Sequence, residues 1–134
     1  MKSINWIGVV VALVVSQAIG FGWYGFLFAE KWQALTGITP ESANSMAMVW
    51  GAVQNLVVVV GLAWLAAKTA TSGWVSGAIL GALVCAFFAL STMSLRFIYG
   101  NDNVGLIPID GGYMLLQYIV SGAIVAGLKL GKSA

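Results

Sequence analysis

The sequence predicts an all-α fold: an integral membrane bundle of four transmembrane helices in antiparallel up-down order, with both termini cytoplasmic. Two observations carry the bundle itself. Of 134 residues, 60% are hydrophobic and only 7% are charged, with a mean hydropathy of +0.96. A soluble domain carries roughly 25% charged residues. The few charges also punctuate the chain: residues 3–29, 42–67, 69–95 and 111–128 contain no Asp, Glu, Lys or Arg. Each run reaches or approaches the ~20 residues that cross ~30 Å of hydrocarbon at ~1.5 Å per helical residue. A single domain over 1–134 follows, with helices at about 4–27, 45–67, 74–95 and 110–129.

The first run begins after Lys2 and contains Ser16-Gln17-Ala18, which resembles a secretory signal. Three further apolar runs follow, so a retained helix from about Ile4 to Leu27 is expected. Its far end, Gly20 to Trp32, carries Trp23, Tyr24, Phe26, Phe28 and Trp32, an aromatic belt suited to a bilayer surface. Gly20, Gly22 and Gly25 would let another helix approach, and Glu30 with Lys31 marks where water begins. Phe28 to Asn44 reads as a loop, with a turn at Gly37-Ile38-Thr39-Pro40. Thr39-Pro40-Glu41-Ser42 reads as the start of the second helix, because Pro suits a first helical position.

That helix runs to about Ala67. The short link Lys68 to Gly73 makes the second and third helices neighbours, and the third covers about Trp74 to Leu95. Arg96 to Ile109 reads as a loop turning at Gly100-Asn101-Asp102-Asn103, residue types that tolerate left-handed backbone. The fourth helix is expected to start at Asp110, a preferred N-cap that complements the positive end of a helix dipole. Lys129 and Lys132 close the chain at the opposite, negative end.

Orientation follows from the basic residues. One side of such a bundle holds Lys2, Lys68, Lys129 and Lys132; the other holds Lys31 and Arg96 together with Glu30, Glu41, Asp102 and Asp110. The positive-inside rule therefore places both termini in the cytoplasm and leaves a net negative outer mouth.

Several functions are excluded by residue type. There is no histidine, which removes His-ligated zinc, Ser-His-Asp triads and His-ligated haem. No cofactor or metal is expected. The single Cys85 cannot form an intrachain disulfide and reads as a small hydrophobe. A net charge of +2 offers no basic patch for nucleic acid.

The informative polar residues lie inside the spans, where side chains should face protein or a wet cavity. Gln17, Phe21, Tyr24 and Phe28 follow helical spacing on the first helix, leaving Trp23 and Phe26 directed to lipid or a neighbouring subunit. Asp110, Tyr113 with Met114, Gln117 and Ser121 form a second stripe, and Trp50 and Gln54 lie one turn apart. Asn55, Ser91, Thr92 and Ser94 add further polar groups. Convergence of these faces would form a polar-aromatic pocket in the outer half. The candidate ligand-binding residues are Gln17, Tyr24, Trp50, Gln54, Tyr113 and Gln117. The same amides could instead serve as interhelical glue, worth roughly 0.6–2 kcal/mol each. Gly77-Ala78-Ile79-Leu80-Gly81, Gly122 with Ala126 and Ala123 with Gly127 are small-residue packing faces, within one chain or in a homo-oligomer.

Several of these residues also resemble a family of small bacterial integral membrane proteins known as domain of unknown function 1761. The resemblance rests on Gly22-Trp23-Tyr24, then Phe28, Lys31-Trp32, Leu35 and Gly37, followed by Ile109, Gly111-Gly112-Tyr113 and Gly122-Ala123-Ile124. It implies a four-helix protein of the bacterial inner membrane and no particular substrate. The family pattern often has His after the helix-four Tyr, where this chain has Met114.

Three functions compete. The first is binding or moving a small lipophilic or amphiphilic molecule in the outer-half pocket, with membrane lipids as surroundings. Every acid lies at a helix end, unlike the mid-span carboxylate of proton-coupled exporters, so passive binding or facilitated movement is favoured. The second is a structural or oligomeric subunit without ligand. The third is a membrane-embedded cyclase or isomerase, with Glu30 and Asp110 as the candidate catalytic acids. Tyr24 and Tyr113 would be their hydrogen-bond partners, and π faces would stabilise a carbocation.

Overall fold

Four helices are long and apolar enough to cross a membrane: α1 (Trp6–Leu27), α3 (Ala47–Lys68), α4 (Trp74–Tyr99) and α5 (Leu106–Gly127). A short polar helix, α2 (Ala29–Thr36), follows α1. These come from a computed structural model, which describes residues 3–39, 41, 45–100 and 102–128; among them there is no strand. By the length and apolarity of its helices, the chain is an all-α, multi-pass membrane protein. The expected second-helix start at Pro40 and Ser42 lies outside the described residues, as do Lys2, Asn101, Lys129 and Lys132.

The packing is concentrated on α5. Its most apolar stretch is 44% buried, against 17–22% for the other three long helices. At one end of the bundle, small and branched residues interlock: Val9 and Ala12 of α1, Leu62, Ala63 and Ala66 of α3, and Val125 and Ala126 of α5 are all buried. Between α4 and α5 the backbones nearly touch. A Cβ on Gly77 would sit 2.2 Å from the Gly122 carbonyl oxygen, and one on Gly81 would sit 2.0 Å from that of Tyr118. The glycine faces legible in the sequence thus meet each other within one chain. Outward, Val14, Phe26, Val57, Val75 and Phe87 are exposed, as suits a surface solvated by lipid tails.

Asn5 ties this end together. Its Oδ1 accepts from the Gly8 N–H (3.0 Å), capping α1, while its Nδ2 donates to the carbonyls of Val125 (3.3 Å) and Leu128 (2.7 Å). One side chain therefore satisfies unpaired groups of two helix termini.

Helix boundaries depart from the sequence-based expectation in three places, one being that α4 runs through Arg96 to Tyr99, past the expected end at Leu95. The segment after α1 is partly helical: α2 has Glu30 in its first turn, favourable to the dipole, and ends at Gly37, whose φ of +73° suits glycine. The last span begins at Leu106, four residues before Asp110. Pro108 falls in its first turn, where a missing N–H costs nothing, and Asn103 shapes the preceding turn by accepting from the Gly105 N–H (2.8 Å). Asp110 is accordingly not an N-cap but a side chain within the helix, free to reach across to α1.

Candidate functional site

Moving from the packed end to the other, buried polar groups pair in successive layers. Ser16 and Ser121, both fully buried, share a hydrogen bond of 2.9 Å. Beside them, Asn55 Nδ2 donates to Gln17 Oε1 (2.9 Å) and Gln117 Nε2 donates to Asn55 Oδ1. This amide chain links α1, α3 and α5, and it leaves the buried Asn55 and Gln117 side chains hydrogen-bonded.

Beyond the amides, aromatic rings take over. Tyr113 lies against Gly20, where a Cβ would be 3.1 Å from the phenol oxygen. Tyr24 Oη donates to Asp110 Oδ1 at 2.7 Å. The Tyr24 ring meets Tyr113 edge-on at 5.3 Å and Trp32 edge-on at 6.0 Å, favoured geometries for aromatic pairs. Trp23 Nε1 donates to the Ile109 carbonyl (2.9 Å), with its ring against Gly112.

Both Trp23 and its neighbour Tyr24 therefore face α5, although side chains one residue apart on an α-helix point about 100° apart. Both belong to a π-helical segment, Trp23–Leu27, which shifts the residues after it in phase relative to the α-helix before it. The expectation that Trp23 points to lipid and that Phe21 continues the stripe is reversed, since Phe21 is exposed.

These layers border an open cleft of about 640 Å³, within the size range of small-molecule sites. Tyr24 of α1, Trp32 of α2, Gln54 of α3 and Asp110, Tyr113 and Gln117 of α5 line it, with Met48, Arg96 and Met114. A second, more polar cleft of about 500 Å³ shares Trp32, Ile38, Arg96 and Asp110 with it and adds Asp102. Arg96 binds Asp102 through Nε (2.8 Å) and Nη2 (2.7 Å), and lies 3.9 Å from Asp110.

Of the residues singled out from sequence, Tyr24, Gln54, Tyr113, Gln117 and Asp110 share this cleft. Gln17 reaches it only through Asn55. Trp50 is 64% exposed and outside the lining. Glu30 is exposed on α2 and borders neither cleft. Trp32, Gln33, Met48 and Arg96 were not among the candidates. Their elements, α2 and the ends of α3 and α4, looked like loop or membrane rim. Met114 offers the cleft a thioether. Among the described residues, no group of three His, Cys, Asp or Glu could hold a metal ion.

The fold and cleft define a class: a small multi-pass α-helical membrane protein with a polar-aromatic recess at one end. Residues 7–126 match the family model described as Protein of unknown function (DUF1761), and the chain belongs to that family. The Gly-Trp-Tyr and Gly-Gly-Tyr elements that signalled it contribute Tyr24 and Tyr113 to the recess. Neither the curated proteins nor the solved structures gave a match.

Proposed function

We propose that this protein binds a small lipophilic or amphiphilic molecule in the cleft between α1, α3 and α5, and moves it passively within the membrane. The observation that carries the reading is the composition of the cleft: a mostly apolar recess with a few convergent polar groups, Gln54, Asp110, Tyr113 and Gln117, at the end of the bundle away from its packed core of Val9, Ala12, Leu62, Ala63, Val125 and Ala126. The membrane is the bacterial inner membrane, with helices in antiparallel up-down order, termini cytoplasmic and the cleft outermost. The contacts Asn5 to Leu128, Gly73 to Ala126 and Tyr24 to Asp110 support that order. The four basic residues at the termini and in the α3–α4 link support the orientation.

Flux of two lipophilic dyes, one neutral and one cationic, in proteoliposomes tests the reading, which requires protein-dependent flux of at least one of them. Gln117→Leu should slow protein-dependent flux several-fold, because it removes a polar group from the cleft and its bond to Asn55. For both dyes, flux equal to that of protein-free vesicles, or unchanged in both Gln54→Leu and Gln117→Leu, would overturn the reading.

A further inference from the structure

The charges around the cleft narrow the chemistry of its ligand. We infer that the occupant is a monovalent lipophilic cation, an aromatic ammonium or phosphonium, held with its charge between Asp110 and the rings of Tyr24, Trp32 and Tyr113. This inference rests on the cleft being a ligand site, as proposed above.

Three observations lead to it. Tyr24 stands at 75° to Trp32 and 66° to Tyr113, so the three rings form a corner rather than a stack. The face of an aromatic ring is negative and attracts cations.

Second, Asp110 is only partly engaged. Its side chain is 16% exposed; Oδ1 accepts from Tyr24, while Oδ2 has Arg96 no closer than 3.9 Å. Arg96 is drawn the other way, by two contacts under 3 Å to Asp102. A carboxylate offers about four acceptor positions, so Asp110 keeps capacity for a cation in the cleft it lines.

Third, the charged side chains lining the two adjoining clefts are Arg96, Asp102 and Asp110, one positive and two negative. The local balance is one negative charge, and low-dielectric walls strengthen its pull on a cation. An anion would meet two carboxylates and an Arg96 already paired with one of them. A neutral ligand would leave the remaining charge unanswered.

The test compares phenyl-bearing ligands of comparable size and different charge. The full chain is reconstituted in zwitterionic lipid nanodiscs. Saturable binding is measured by equilibrium dialysis for tetraphenylphosphonium, tetraphenylborate and neutral triphenylphosphine oxide. The cation should bind saturably and at least about ten-fold more tightly than either other probe. Asp110→Asn keeps an oxygen for Tyr24 yet should weaken the cation about ten-fold, so that the preference for cation over triphenylphosphine oxide collapses. Asp110→Glu should retain cation preference. Similar affinities for cation and neutral probe would overturn the cation inference and leave the lipophilic site standing, and so would preference for the borate. Saturable binding of none of the three would overturn the cleft reading itself. The charge series on the unmodified protein decides between these outcomes even where a variant fails to fold.

Discussion

Gly81→Ala should be among the most disruptive single-methyl changes available to this bundle. A Cβ there would lie 2.0 Å from the Tyr118 carbonyl oxygen and 2.7 Å from its carbon, backbone atoms that cannot swing aside. Ordinary contact begins at 3.4 Å, so α4 and α5 must part by roughly 1.4 Å near the methyl, and a gap of only about 0.5–1 Å already forfeits about a quarter to a half of each affected contact's dispersion energy. Overpacking alone costs about 1–3 kcal/mol, and the neighbouring Gly77–Gly122 approach opens with it. The expected loss is about 2–4 kcal/mol. Because α5 carries Asp110, Tyr113 and Gln117, ligand affinity should fall as well. The control is Gly51→Ala on α3, where a Cβ meets nothing within 4 Å; it should be neutral or gain up to about 1 kcal/mol from helix propensity. Reversible unfolding in mixed micelles titrated with dodecyl sulfate, followed by circular dichroism, reads both. A Gly81→Ala variant that unfolds with the wild type would refute the close α4–α5 packing, as would a Gly51→Ala variant that loses as much.

Two further substitutions probe the polar layers by the same assay. Asn55→Leu removes the link between Gln17 and Gln117 and should cost about 1–2 kcal/mol. Combined with Gln117→Leu it should cost less than the sum of the two, by roughly 1 kcal/mol, because the singles break a shared network. Asn5→Ala loses the α1 cap and two bonds to the end of α5, an expected cost of about 1–2 kcal/mol, with greater exchange of the Gly8 amide.

What the sequence discloses here follows from which forces act locally. The four spans are legible because avoidance of charge in hydrocarbon leaves runs that need no tertiary information. The stripe Asp110, Tyr113, Gln117, Ser121 is legible because α5 is regular through that region, so spacing of three and four translates into one face. The α1 stripe divides: Gln17 and Phe21 keep α spacing and share an exposed face, while from Trp23 a π turn breaks the period on which such counting depends. Pro108, inside the first turn of α5, is the available signal that this helix starts before Asp110. Trp50 and Gln54 share a phase but not a fate: Gln54 reaches the cleft and Trp50 stays outside it. Periodicity assigns a face, while the height at which a neighbouring helix ends decides whether that face is covered.

The measurement closest to the central claim is photolabelling in native-like nanodiscs with a diazirine-bearing lipophile, mapped by mass spectrometry with and without excess non-photoreactive competitor. Displaceable adducts should concentrate on Tyr24, Trp32, Tyr113 and Met114, which line the cleft, while labelling of the exposed Phe26, Val57 and Phe87 should not respond to competitor. Displaceable labelling confined to those outward residues, with the cleft residues unmodified, would contradict the account.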